Sequence, residues 1–185
     1  MKIVSSELQL PPRRERTETV ILFVVAGQTL AIAASAIDEI RSADSFSSAA
    51  SEIAVKSVSK VKHRLRRGGK WYYIVNACAH FGLPASSPTL FLVLRNFRIA
   101  VLVDRIDRIE TISRLMVIPR CFCGPELLWY RGLTLIEGNV IPVVNPSGFL
   151  TENEIVQLDV LDGSASVPTQ SEMTSHWSDT HGVSP

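Results

Sequence analysis

The sequence predicts a mainly β protein built from two similar small barrels, and two observations carry that reading. Short apolar runs are separated at close intervals by turn dipeptides, and the chain resembles itself at a single offset. Shifting by 69 residues lays 21–40 on 90–109, with Val24/Val93, Ala31/Ala100, Ile37/Ile106, Asp38/Asp107 and Ile40/Ile109 identical. The same shift lays 69–76 on 138–145, where Gly69/Gly138, Val75/Val144 and Asn76/Asn145 are identical. Eight matches in these 28 positions compare with roughly two expected from ordinary residue usage. Shared Asp, Gly and Asn positions are not explained by β-composition alone, so duplication is the better account.

Taken in order, 19–26 and 29–34 read as a strand pair around Gly27-Gln28, and 89–94 and 98–103 as its counterpart around Asn96-Phe97. A second pair closes each half. It comprises 61–66 with 70–75 around Gly68-Gly69, and 133–136 with 140–144 around Gly138-Asn139, where glycine reaches positive φ without steric cost. Short helices are expected after Asn76, over 77–81, and after Asn145, over 146–150, where Asn-Pro suits a helix start. Strands of this length with turns this frequent fit small barrels better than helical bundles. Residues 42–51 read as a flexible small-residue loop. Three segments follow: an N-terminal arm over 1–17, a domain over 18–150 with halves 18–87 and 88–150, and an acidic, disordered tail over 151–185.

At 185 residues, 46% hydrophobic and 20% charged, the chain can bury a core, which excludes disorder throughout. A net charge of +1 argues against a dedicated nucleic-acid binder, but the charge is unevenly placed. No Asp or Glu occurs from Ile53 to Val103, and no Lys or Arg follows Leu150. The basic run from Lys56 to Lys70 followed by Trp71-Tyr72-Tyr73 supports an alternative reading, a small-barrel nucleic-acid binder with cations for phosphates and rings for stacking. Its bland counterpart is a solvated strand edge, where Lys and Arg discourage aggregation. Residues 20–37 are apolar and follow Arg13, Arg14 and Arg16, as a membrane anchor would, but Gly27, Gln28, Thr29 and Ser35 break the run into a hairpin. Cytoplasmic location without membrane insertion is the expectation, and three cysteines, which cannot all pair, fit a reducing compartment.

Nothing resembles an organised active site, so no catalytic residue is expected. Cys78 with His80, and Cys121 with Cys123, could supply four tetrahedral ligands, but one intervening residue is fewer than finger spacing uses; buried free thiols are the better reading, with no metal and no cofactor. Asp38 and Asp107 read as a symmetric structural pair, accepting backbone hydrogen bonds at a turn. Trp129 and Tyr130 read as core.

The element order resembles the CheW-like domain family of chemotaxis coupling proteins. RIAVLVDRIDRIETI, 98–112, is similar to the family's strand-Val-Asp segment, and WYRGLTLIEGNVIPVVNPSGFL, 129–150, to its aromatic-x-Gly-aliphatic strand, turn and closing strand. FVVAGQTLAIAASAIDEI, 23–40, is similar to the opening hairpin, with Glu39 at the family's acidic position. The resemblance covers about 18–150 and implies two intertwined five-stranded barrels in a non-enzymatic signalling adaptor. The implied partners are a methyl-accepting chemoreceptor and a CheA-type histidine kinase. The family's R-G-x-x-x-P-V-V-D signature is altered: Gly68 takes the arginine position, Tyr73 the proline and Asn76 the aspartate, while Arg67 comes one residue early. A one-residue slip turns a side chain to the other face unless a bulge intervenes. Glu39, Arg64, Arg66, Arg67, Gly68 and Gly69 are the expected partner-binding residues.

Overall fold

Among the described residues there are eleven strands, met in the order β1 (Glu18–Val25), β2 (Gln28–Ala33), β3 (Ile37–Ser42), β4 (Ala50–Glu52), β5 (Val61–Arg67), β6 (Lys70–Asn76), β7 (Leu90–Leu94), β8 (Ile99–Val103), β9 (Arg105–Ile112), β10 (Tyr130–Ile136) and β11 (Asn139–Val144). Helix α1 (Ala77–Phe81) follows β6 and α2 (Glu126–Trp129) precedes β10. The computed structural model describes residues 17–46, 50–53, 58–119, 124 and 126–164. The N-terminal arm, the far end of the acidic tail, Cys121 and Cys123 lie outside them.

Three hairpins turn on two residues that both take positive φ, the link whose twist matches that of the flanking strands. These are Ala26-Gly27 (48° and 80°), Gly68-Gly69 (56° and 78°) and Glu137-Gly138 (50° and 79°). The expected turns at Gly27-Gln28 and Gly138-Asn139 therefore each fall one residue earlier, with glycine second. The β7–β8 link is longer and has Asn96 at φ 64°.

The strands form two sheets, β10-β11-β2-β1-β9 and β3-β7-β8-β6-β5-β4. Each combines the opening hairpin of one half with the later strands of the other, so the halves are intertwined. β1 pairs antiparallel with β9, β3 with β7, and the parallel contacts β11–β2 and β6–β8 join the halves again. The expected mainly β, intertwined fold is present, with one correction: strand pairing closes neither sheet into a barrel. In the first sheet, a single bridge between Met116 and Leu133 spans towards the open side, and a cleft of about 460 Å³ remains beside it, lined by Ile112, Arg114 and Ile136 among others. A Cβ on Gly132 would lie 2.5 Å from the Met116 carbonyl oxygen, which is why this position of the aromatic-x-Gly-aliphatic run carries no side chain.

The repeat also governs the irregularities. Asp38 is the extra residue of a bulge between Ile37 and Glu39 against β7, and Asp107 of one between Ile106 and Arg108 against β1. Lys62 in β5 and Arg131 in β10 form a second pair of bulges at the same offset. The two aspartates thus share a structural role, but not as turn acceptors; both are bulge residues with outward carboxylates.

Alternation places one face of each sheet in its own core. Leu22, Ala31, Ile112, Ile141 and Val143 cluster in the first sheet, and Phe91, Ala100, Leu65, Ile74 and Val93 in the second. Leu22/Phe91, Ala31/Ala100 and Val143/Ile74 are related by the 69-residue offset. β1 and β7 are buried on both faces, as shown by Ile21, Phe23 and Val25 between the cluster residues of β1, and by Leu92 and Leu94 in β7.

Asn76 caps α1 by accepting from the Ala79 amide at 3.1 Å, and Asn145 caps a 3-10 turn over Pro146–Gly148 by accepting from the Ser147 amide at 3.3 Å. The expected loop over 42–51 instead carries a 3-10 turn, Ala43–Phe46, and the start of β4, whose Ala50 and Ser51 pair with Leu65 and Arg64. Here the edge of β5 recruits a segment whose own sequence favours no strand.

By contacts the chain divides after Thr151. The second unit begins with helix α3 (Glu152–Ser164), where sequence reading expects the tail to start. Glu152 and Glu154 lie in its first turn, where carboxylates favour the helix dipole, and Thr151 to Glu154 has capping-box spacing.

Candidate docking surface

The Gly68-Gly69 turn sets the register of β5 against β6, with Arg67 opposite Lys70, Arg66 opposite Trp71, Leu65 opposite Tyr72 and Arg64 opposite Tyr73. Leu65 enters the core cluster, so Arg64 and Arg66 lie on the other face together with Trp71 and Tyr73. The Arg64 guanidinium stacks 4.1 Å from the Trp71 ring centre, Arg66 approaches the same ring at 5.9 Å, and Arg98 lies 5.7 Å from the Tyr73 ring. Tyr73 is fully buried and Trp71 half-buried on this face, while Tyr72 on the other face is half-buried against the core cluster.

Arg67 turns the other way. It pairs with Asp38 at 3.0 Å and with Glu39 at 3.2 Å, and Glu39 is also paired with Arg41. These contacts tie the β5–β6 hairpin to the edge strand β3. The hydrogen bond from Arg67 to Asp38, reinforced by Glu39, raises the Arg67 pKa above its ordinary value. At the related place in the first sheet the signs are reversed. Arg108 of β9 reaches Glu137 in the β10–β11 turn at 2.8 Å and Glu110 at 2.8 Å, and these carboxylates raise its pKa. Each sheet therefore carries an ionic latch across its open side.

Of the six expected site residues, the fold joins Glu39 to Arg67, places Arg64 and Arg66 on the opposite face, and sets Gly68 and Gly69 in the turn between them. The bulge that would rescue Arg67 as a signature arginine sits at Lys62, at the far end of the hairpin. Sequence reading missed Arg98 and the pairing of arginines with rings. The Gly-Gly turn implies that register, since Arg66 and Trp71 flank it symmetrically.

Two further clusters are structural. Asp104 accepts from the Ala26 amide at 2.7 Å and from the Ser86 hydroxyl, and Ser86 in turn lies 3.1 Å from the Cys78 sulfur. His80 and Phe81 of α1 pack against Trp129, Tyr130 and Phe149, with His80–Trp129 ring centres 4.9 Å apart. Burial, and to a lesser degree Glu126, pushes the Tyr130 phenol pKa up. Cys78 and His80 thus have separate surroundings, and no group of metal-ligating side chains occurs among the described residues.

The CheW-like domain model matches residues 19–154. The chain belongs to the CheW-like domain family. A crystal structure of the scaffolding protein TtCheW from Thermoanaerobacter tengcongensis superposes with a TM-score of 0.63 at 11% identity, covering 81% of this chain and 97% of that one. At that identity the likeness concerns the fold. No curated protein sequence matches the chain. Membership of this family supports the chemotaxis adaptor role that the resemblance implies. No helix among the described residues is long and apolar enough to cross a membrane, and 20–33, most of the anchor-like stretch, lies in the β1–β2 hairpin.

Proposed function

We propose that this CheW-like chain is a non-enzymatic adaptor linking methyl-accepting chemoreceptors to a CheA-type histidine kinase, or serving a related chemosensory or motility pathway by the same kind of docking. The observation that carries this reading is the family match over residues 19–154, on a chain whose two sheets exchange strands between halves. Docking involves Glu39, Arg64, Arg66, Arg67, Gly68 and Gly69, grouped around the β5–β6 turn. Arg66 is the exposed charged member, while Arg67 ties the turn to β3. The nucleic-acid alternative is weakened by Trp71, whose ring face is occupied by Arg64 and is not offered to a base.

Reconstitution of the chain with its organism's receptor signalling tips and kinase tests the proposal. The unaltered chain is expected to co-sediment with both and to raise kinase phosphorylation. Arg66→Glu is expected to weaken capture about tenfold while changing stability by about 1 kcal/mol or less, since exposed charges contribute little to folding but an interface arginine much more. Adding Arg67→Glu also places a carboxylate beside Asp38 and Glu39, so the single variant is the cleaner one. A folded Arg66→Glu chain with undiminished capture would remove the turn from the interface.

A further inference from the structure

The opening between β9 and β10 is held by ion pairs at two places and is otherwise open. Glu18, the first residue of β1, accepts from both terminal nitrogens of Arg131 in β10 at 2.7 and 3.1 Å, and Arg108 of β9 reaches Glu137, just past β10, at 2.8 Å. The cleft of about 460 Å³ is lined by 110–114 on one side and 134–137 on the other, and its volume falls within the roughly 300 to 1,000 Å³ of ligand sites. It opens onto the first core, since Ile112 belongs to that cluster and Ile136 packs against it. Leu135 lines the cleft with 61% of its surface exposed. Its backbone faces this edge too, because Leu133, two residues back, exchanges both backbone hydrogen bonds with Met116 across it, at 2.7 and 2.9 Å. An apolar floor beside a strand edge suits an extended segment, which gives side chains to the one and amide groups to the other.

We propose that the occupant of this cleft is the chain's own N-terminal arm, with residues 4–10 bound as an extended segment that lays Leu8 and Leu10 over Ile112 and Ile136. The arm enters β1 at Glu18, whose strand partner Ile112 lines the cleft, so the tether sits at its rim. Residues 11–17 span up to roughly 23 to 25 Å at about 3.3 to 3.6 Å each, whereas Leu135 lies only about 13 Å along β10 from Arg131, which holds Glu18. In 4–10, VSSELQL, Val4, Leu8 and Leu10 fall on one phase of a strand period, and Ser5, Glu7 and Gln9 on the other. Pro11 biases Leu10 towards an extended backbone, and Pro11 and Pro12, lacking amide hydrogens, end any pairing there. Charge agrees with this placement. Asp107, Glu110 and Glu137 outnumber Arg108 and Arg114 around the cleft, and 13–16, Arg-Arg-Glu-Arg, is net positive. A short tether gives an effective concentration of about millimolar, so weak intrinsic affinity suffices. The inference does not depend on the adaptor reading; it adds a segment that any other occupant of the cleft must displace.

Amide hydrogen exchange of the full chain, read by mass spectrometry, tests this. Leu8→Asp/Leu10→Asp puts carboxylates on the apolar phase of the arm and is expected to speed exchange at 133–137 about tenfold, with exchange in β5 and β6 unchanged. Ser5→Asp/Gln9→Asp adds the same charge on the other phase and is expected to leave exchange as in the unaltered chain. A thermal melt of each variant checks that it is folded. Equal exchange at 133–137 in the unaltered chain and the leucine variant would overturn the proposal. Faster exchange in both variants would overturn it as well, because charge and not apolar contact would then be the cause. So would faster exchange throughout the domain, which marks a general loss of stability. Dilution by about tenfold is expected to leave the protection of the unaltered chain unchanged. Protection lost on dilution would assign the bound segment to a second copy of the chain and overturn the intramolecular contact.

Discussion

Asp104 shows how much one carboxylate can organise. It stands at the end of β8, accepts from the Ala26 amide and the Ser86 hydroxyl, and thereby ties the β1–β2 turn to the segment before β7. Its backbone takes part as well, donating to the Val24 carbonyl at 2.9 Å and accepting from the Thr89 hydroxyl. Hydrogen bonds to a charged acceptor contribute roughly 1.5–3 kcal/mol each, and neighbouring ones do not add fully. Asp104→Ala is therefore expected to cost about 2 to 4 kcal/mol in urea unfolding; a loss below about 0.5 kcal/mol would show that water replaces both bonds. The Val-Asp pair of the β8–β9 segment was legible as a motif, whereas its use as the acceptor for a turn 78 residues away was not. That acceptor role, expected of Asp38 and Asp107, belongs to a carboxylate the repeat does not duplicate, because position 35 in the first half is a serine.

At the scale of elements, duplication preserves backbone devices more faithfully than side-chain charge. The Asn caps, the bulges and the closing two-residue turns Gly68-Gly69 and Glu137-Gly138 recur at one offset, while the latches recur with their signs exchanged. A cap or bulge is tied to backbone geometry, and substitution leaves an amide unsatisfied. An exposed ion pair works equally well with either residue on either side and contributes about 0 to 1 kcal/mol, so little opposes the exchange. Asn76→Ala is accordingly expected to cost about 1 kcal/mol in thermal or urea unfolding, with Asn76→Asp close to neutral. Equal destabilisation by both substitutions would mean that the side chain contributes packing and not its capping oxygen.

For the whole molecule, strand exchange makes the repeat units interdependent. A chain of residues 18–87 alone would contain β1 without β9 and β3 without β7, leaving apolar edges and half of each core open. Neither 18–87 nor 88–150 is expected to fold in isolation, whereas the two fragments expressed together are expected to assemble into one β-rich, cooperatively melting species. Circular dichroism and size-exclusion chromatography of the fragments, separately and mixed, check this. A cooperative thermal transition in either fragment alone would contradict it. The same interdependence suits an adaptor, since its outer faces are presented by a body that cannot come apart into its repeats.

Sequence by itself determined the strands of the four hairpins, the duplication and the turn positions to within a residue or two, because hydrophobic alternation and glycine placement are local and have a short period. Which strands pair across the halves is a long-range matter; β1 chooses β9 over other apolar strands through shared burial, which no local pattern encodes. Nor could the chain's order show that Arg67 would turn to Asp38 and Glu39 while Arg64 and Arg66 stack on Trp71. The turn divides neighbouring arginines between two faces, and only the folded sheets decide which face meets a carboxylate, a ring or open solvent.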